Sequence, residues 1–79
     1  MKITFTLTRT DKGSSHDIQV SDTQKIKDTL QVLKENLPMF ADIPNVLCVV
    51  EADSGRKIST EDTYEKARIY SGAELYITP

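Results

Sequence analysis

Two side chains, Cys48 and His16, are of the types that most often serve as nucleophile and general base. The cysteine stands between Leu47 and Val49 in an apolar run, where burial would make a thiol inert. The histidine has only Asp17 beside it along the chain, whereas acid–base catalysis requires several positioned partners. We therefore predict a buried structural cysteine, a solvated turn position for His16, and no catalytic residue.

A group of carboxylates raises the question of a cation site. Glu61, Asp62 and Glu65 lie close together in the sequence, and Asp53 precedes them. Their spacing does not match a calcium-binding loop. No zinc spacing, phosphate loop or nucleophile elbow is present either. The acidic residues are interpreted as a solvated loop, and the sequence predicts no metal and no cofactor.

The size and charge of the sequence favour one small domain spanning residues 1–79. Its net charge of −2 argues against generic nucleic-acid binding. The one cysteine excludes an internal disulfide. No run approaches the roughly 20 apolar residues of a membrane helix. We expect a cytoplasmic protein that does not insert into membranes and is not an enzyme.

Alternation of apolar and polar residues predicts a β-hairpin at the start of the chain. Ile3, Phe5 and Leu7 mark the inner face of the first strand. A polar turn at 11–15 leads into a second strand over 16–20.

A helix is predicted to follow the hairpin. Ser21 stands three residues before Gln24, the spacing of a capping box. Pro38 ends the helix, because the residue before a proline disfavours helical geometry. One apolar stripe runs along it: Ile26, Leu30, Leu33 and Leu37.

The second half of the chain reads as three further strands. A continuous apolar strand covers 46–50, and a turn at 53–55 leads to a short strand around Ile58. Residues 60–67 are predicted to be irregular or a single helical turn, and the last strand covers 75–78. Phe40 or Ile43 is expected to tuck under the helix.

This order of elements predicts an α+β fold of the β-grasp type. One helix must bury its stripe across one face of a four- to five-stranded mixed sheet. The first and last strands are then parallel neighbours at the centre. The predicted core is Ile3, Phe5, Ile18, Val20, Ile26, Leu30, Leu33, Ile69, Leu75 and Ile77.

The pattern resembles ubiquitin-like β-grasp domains, and among them the YukD/EsaB-type proteins of bacterial type VII (ESX/Ess) secretion systems. The chain opens with a Lys-Ile-Thr-Phe strand and a polar hairpin, and Ser21-Asp22 introduces the helix. The segment 59–63 is longer than the family pattern. The close of the chain follows the family's spacing at Tyr64, Ala67, Ile69, Gly72, Leu75 and Ile77.

This resemblance implies a cytoplasmic accessory of a secretion machine. Its protein partner would be a membrane-embedded or ATPase component. Ubiquitin and the sulfur-carrier proteins use a C-terminal Gly-Gly tail. This sequence has no such tail, and members of the YukD type also lack it. We therefore expect a non-conjugated protein-binding module. The alternatives are a modifier or sulfur carrier and a nucleic-acid-binding β-grasp module.

A partner-binding surface is predicted from strand parity, since alternate side chains of a strand point to opposite faces. Glu51 is taken to mark the solvent side of the third strand, and Tyr76 has the opposite parity to the buried Leu75 and Ile77. Ubiquitin-like domains bind partners with the same face. The predicted surface consists of Leu47, Val49 and Tyr76, flanked by Thr4 and Thr6.

Overall fold

The computed structural model describes residues 1–78 and confirms the predicted β-grasp arrangement. One five-stranded sheet has the strand order β2-β1-β5-β3-β4. The first and last strands are parallel neighbours, and the other pairs are antiparallel. The elements are β1 (Lys2–Arg9), β2 (Ser14–Ser21), α1 (Ile26–Asn36), a 3₁₀ turn (Pro38–Phe40), β3 (Cys48–Glu51), β4 (Lys57–Ser59) and β5 (Glu74–Ile77).

The helix begins later than predicted. Its first residue is Ile26, and Ser21 stays in β2, where its hydroxyl lies 2.9 Å from that of Thr23. The expected capping box is therefore wrong. The backbone N–H groups of Ile26 and Lys27 instead donate to carbonyls of the 60–62 loop at 3.0 and 2.9 Å. A contact distant in sequence thus replaces the local cap, and it fixes the helix against that loop. The helix ends before Pro38, as predicted.

The core lies between the helix and the inner face of the sheet. Seven of the ten predicted core residues are buried. Ile18, Leu30 and Leu33 are only partly buried and pack against the rest. Phe40 and Ile43, one of which was expected to be buried under the helix, are both buried in the core. The core also contains Leu7, Val49, Ile58, Tyr64 and Ala67.

A buried arginine holds the end of β1 to the segment that follows the helix. The Arg9 side chain is 2% exposed and forms a two-pronged ion pair with Asp11 at 3.0 and 2.7 Å. It also donates to Asp42 at 2.7 Å and to the Met39 carbonyl at 2.5 Å. These bonds raise the pKa of Arg9 and lower the pKa values of Asp11 and Asp42. An arginine side chain stays protonated in proteins, and the two carboxylates offset the cost of burying its charge.

A tight turn at 64–69 carries an unusual backbone angle. Arg68 has φ +57°, in the left-handed region that favours glycine. Ile69 N–H donates to the Tyr64 carbonyl at 3.0 Å and Arg68 N–H to the Glu65 carbonyl at 3.1 Å. This pair of bonds is the Schellman pattern. The turn therefore places the buried Tyr64 and Ile69 side by side.

Candidate binding surfaces

The outer face of the sheet, opposite the helix, carries a row of side chains across its centre. Tyr76 lies between Thr8 of β1 and Val50 of β3, and Lys57 of β4 continues the row beyond Val50. Tyr76 and Val50 are both half-buried. No helix covers this face in residues 1–78, so an aromatic ring and a branched side chain meet solvent together. We call Tyr76, Val50, Thr6 and Thr8 the outer-face surface.

The electrostatic environment of Tyr76 is acidic. Hydrogen bonding and charge from Glu74, together with the charge of Asp53, raise the pKa of the phenol. Glu74 lies two residues earlier on the same face of β5, and Thr6 pairs with it in register. The Thr6 hydroxyl also donates to Asp17 at 2.9 Å. The carboxylates of Glu74 and Asp53 therefore make the surroundings of the Tyr76 ring acidic.

The structure corrects the predicted surface at Val49, which is 1% exposed and part of the core. The error arose from Glu51, which was read as facing solvent. Glu51 lies opposite the buried Leu75 and therefore has inward parity. Its carboxylate sits at the end of the strand, where it accepts from Ser54 Oγ at 2.7 Å and Arg56 Nη2 at 3.4 Å. An inward carboxylate is tolerated there because both oxygens have partners.

Leu47 is exposed as predicted, at 85%, but it does not share a surface with Tyr76. It has the parity of the inward Val49 and precedes the first residue of β3. It lines a groove of about 350 Å³ between α1 and residues 43–47. Leu30 lies on the helix side of this groove, and Lys27 forms an ion pair with Glu61 at 3.0 Å at its border. Tyr76, Thr4 and Thr6 do lie on the outer face, and their role in binding stays a prediction.

Both residues considered for catalysis lie elsewhere than expected. Cys48 is exposed, on the outer face opposite Ser59 of β4. The apolar run around it had suggested burial, but Val49 alone occupies the inward position there. His16 lies within β2, half-buried on the inner face, where its ring meets Phe40 edge-on at 5.5 Å. It is a packing residue and not a solvated turn residue.

The acidic residues considered for a cation do not form a set of metal ligands among residues 1–78. Glu61 pairs with Lys27, and hydrogen bonding from that lysine lowers the pKa of Glu61. Within residues 1–78 no three His, Cys, Asp or Glu side chains are grouped as metal ligands. No helix in this range is long and apolar enough to span a bilayer.

Solved structures with the same arrangement identify the fold. The C-terminal ubiquitin-like domain of mouse tubulin-specific chaperone e aligns over 99% of this chain and 86% of its own, with a TM-score of 0.72 and 11% identity. A ubiquitin from Caldiarchaeum subterraneum aligns over 99% of this chain and 92% of its own, with a TM-score of 0.71 and 11% identity. This is a ubiquitin-like β-grasp fold.

A designed protein based on ubiquitin has the same ubiquitin-like fold. It aligns over 95% of this chain and 84% of its own, with a TM-score of 0.71 and 21% identity. A scan of protein families and a search of curated proteins find no match to this sequence. At these identities the likeness establishes the ubiquitin-like fold alone.

Proposed function

We propose that this chain is a ubiquitin-like protein-binding module that engages its partner without conjugation, through the outer-face surface, with Tyr76 as the anchor. The observation that carries the proposal is the row Thr8–Tyr76–Val50, which leaves an aromatic and an aliphatic side chain uncovered at the centre of the sheet. The outer-face surface replaces the one predicted from parity, since Val49 is core and Leu47 lies in the helix groove.

The residue types of this surface suit protein recognition. Tyrosine is enriched among interface residues that dominate affinity, because it offers a large apolar area and a hydrogen-bonding hydroxyl. The threonines beside it are β-branched and stiff, so their ordering on binding costs little side-chain entropy. A flat strand surface also changes little between free and bound states, which supports rigid docking.

The secretion role is the finer part of the proposal and rests on the resemblance to YukD/EsaB-type proteins. The partner would be a membrane-embedded or ATPase component of a type VII machine, and this chain its cytoplasmic accessory. The fold alone does not select this role. Its structural neighbours include a ubiquitin and a domain of a tubulin-specific chaperone. Genes for secretion ATPases and small WXG-type substrates beside the gene for this chain would support the role.

The decisive experiment compares three immobilised proteins in a pull-down from the native host. The wild type identifies partners by mass spectrometry, and Tyr76→Ala tests the anchor. Tyr70→Ala is the matched control, because Tyr70 is 70% exposed and lies outside the outer-face surface. We expect Tyr76→Ala to weaken binding of the purified partner by more than about 1 kcal/mol, and Tyr70→Ala to leave it unchanged.

A further variant separates the two candidate surfaces. Leu47→Ala removes the most exposed apolar side chain of the helix groove without touching the outer face. Circular dichroism of each variant establishes that the fold is intact. Loss of binding in Leu47→Ala together with full binding in Tyr76→Ala would place the partner on the groove and refute the proposed surface.

A further inference from the structure

The edge of the sheet formed by β2 is long and unprotected. All eight residues, Ser14–Ser21, pair with β1 in a continuous register without a bulge. Natural edge strands are usually shortened, bulged, or blocked by lysine or proline, because free backbone groups invite another strand. This strand has neither lysine nor proline, and its one acidic residue is Asp17. The opposite edge, β4, has only three residues.

The backbone bonding of β1 shows which groups of β2 face outward. Thr6 and Thr10 N–H donate to β5 and its flank, at 2.9 Å to the Ala73 carbonyl and 3.0 Å to the Ile77 carbonyl. The odd-numbered residues of β1 must therefore bond β2. Their register partners are the even-numbered residues of β2, such as Ile18 opposite Phe5. The Asp22 N–H, which donates to the Met1 carbonyl at 2.9 Å, fits this alternation.

The odd-numbered residues of β2 consequently point their backbone N–H and C=O groups toward the free edge. In an antiparallel ladder the N–H and C=O of one residue point to the same side. The set comprises Ser15, Asp17, Gln19 and Ser21, and in this set the Ser21 carbonyl already accepts from the Gln24 N–H at 3.0 Å. Ile18 has inward parity but stays half-buried, because no strand lies beyond it.

We propose that this edge pairs with the β2 edge of a second copy of the chain, antiparallel, with the two-fold axis at Ile18. In this register Asp17 faces Gln19 of the other copy, Ser15 faces Ser21, and the two Ile18 side chains meet on the inner face. The outward backbone N–H and C=O groups of Asp17 and Gln19 then gain partners in both copies. No like charges oppose each other, whereas a shift of the axis to Asp17 would place two carboxylates face to face.

The strand's own chemistry favours a second copy over a foreign strand. The Gln19 side-chain amide is a donor and the Asp17 carboxylate opposite it an ionised acceptor, so the pair would form a charge-assisted hydrogen bond that the two-fold axis repeats. Closed two-fold pairing uses one surface of each molecule and stops at two copies. The interface is small, so we expect a dissociation constant in the micromolar to millimolar range.

The test measures association by sedimentation equilibrium up to about 1 mM protein, the weak limit of that range. We expect a monomer–dimer equilibrium for the wild type. Gln19→Glu sets a glutamate against Asp17 of the other copy twice, and should raise the dissociation constant about tenfold. Adding Asp17→Arg to Gln19→Glu converts both contacts to opposite charges and should restore dimerisation. Tyr76→Ala, on the outer face, should leave the dimer unchanged.

Amide hydrogen exchange provides a readout at single residues. The Gln19 amide points to the free edge, so its exchange should slow as protein concentration rises. The Ile18 amide is already bonded to β1 and should show no such dependence. A monomer at about 1 mM, with Gln19 exchange independent of concentration, would overturn the proposal and leave this edge to a strand from another protein. A dimer whose dissociation constant is the same in Gln19→Glu as in the wild type would refute the register.

Discussion

Replacing Tyr64 with phenylalanine should stabilise this protein. Tyr64 is fully buried and packs against Phe5, with ring centroids 5.2 Å apart. Its hydroxyl has no hydrogen-bond partner among residues 1–78. A buried polar group without a partner costs about 1–3 kcal/mol of stability. Tyr64→Phe keeps the ring and removes only that hydroxyl, so the free energy of unfolding should rise by about 1–3 kcal/mol.

Urea unfolding followed by far-ultraviolet circular dichroism measures the change. The expected result is a higher urea midpoint with an unaltered slope of the unfolding free energy against urea concentration. That result would show that stability has changed and that the compactness of the folded and unfolded states has not. Tyr76→Phe is the matched control, because the Tyr76 hydroxyl lies on the half-exposed outer face. We expect the control to stay within about 0.5 kcal/mol of the wild type. A clear loss of stability in Tyr64→Phe would refute the reasoning and show that the hydroxyl is bonded, for instance to Thr29.

Alkaline pH offers an independent check on the same hydroxyl. Burial raises the pKa of Tyr64 to about 12. In the unfolded chain the phenol of Tyr64 ionises near pH 10, and in the folded protein it ionises only at higher pH. Between these two pH values the unfolded state therefore binds fewer protons. Wild-type stability should therefore fall as pH rises from about 10 to 12. Tyr64→Phe should lose less over the same range, and equal losses would contradict the assignment.

Three further predictions concern other parts of the fold. Arg68→Gly should raise the free energy of unfolding in urea by about 1 kcal/mol, because glycine relieves the cost of φ +57°; a loss would show that the arginine side chain makes a stabilising contact. The hydrogen bonds from Arg9 depress the pKa values of Asp11 and Asp42, so their stabilisation is present above about pH 4 and is lost as pH falls through the depressed values. Thermal unfolding against pH should show this acid loss, and Asp11→Asn with Asp42→Asn should flatten it. The exposed Cys48 should react with a thiol reagent in the native state about as readily as in the urea-unfolded chain, and strong native protection would contradict its exposure.

Periodicity predicted most of the fold because it reports which face of each element is buried. The alternation at Ile3, Phe5 and Leu7 gave the correct inner face of β1. The helix stripe was correct at Ile26, Leu30 and Leu33, but Leu37 is exposed and lies just beyond the end of the helix. The start of the helix could not be predicted in this way. Its first N–H groups are bonded to the 60–62 loop, more than thirty residues away in sequence, whereas the capping-box rule reads only neighbouring residues.

The candidate surface was predicted less well, because a single charged residue was used to orient β3. Glu51 is at the strand end, where Ser54 and Arg56 satisfy its carboxylate, and its charge there does not report the solvent side. The neighbour Val50 would have been the better guide, since it pairs with Tyr76. The burial of Arg9 could not be predicted from local sequence either, because Asp42, one of its two acidic partners, is distant in sequence.

The structure leaves the two proposed contacts on separate parts of the molecule. The outer-face surface lies across β1, β5 and β3, whereas the pairing edge is β2, at the side of the same sheet. A two-fold axis perpendicular to the sheet would join two sheets edge to edge and keep both helices on one side. The two Tyr76 side chains would then face the other side together. A partner with two binding sites on that side would be held more tightly by the dimer than by a monomer, since the second contact forms within one complex. Weak self-association through β2 would thus strengthen binding without adding any residue to the outer-face surface.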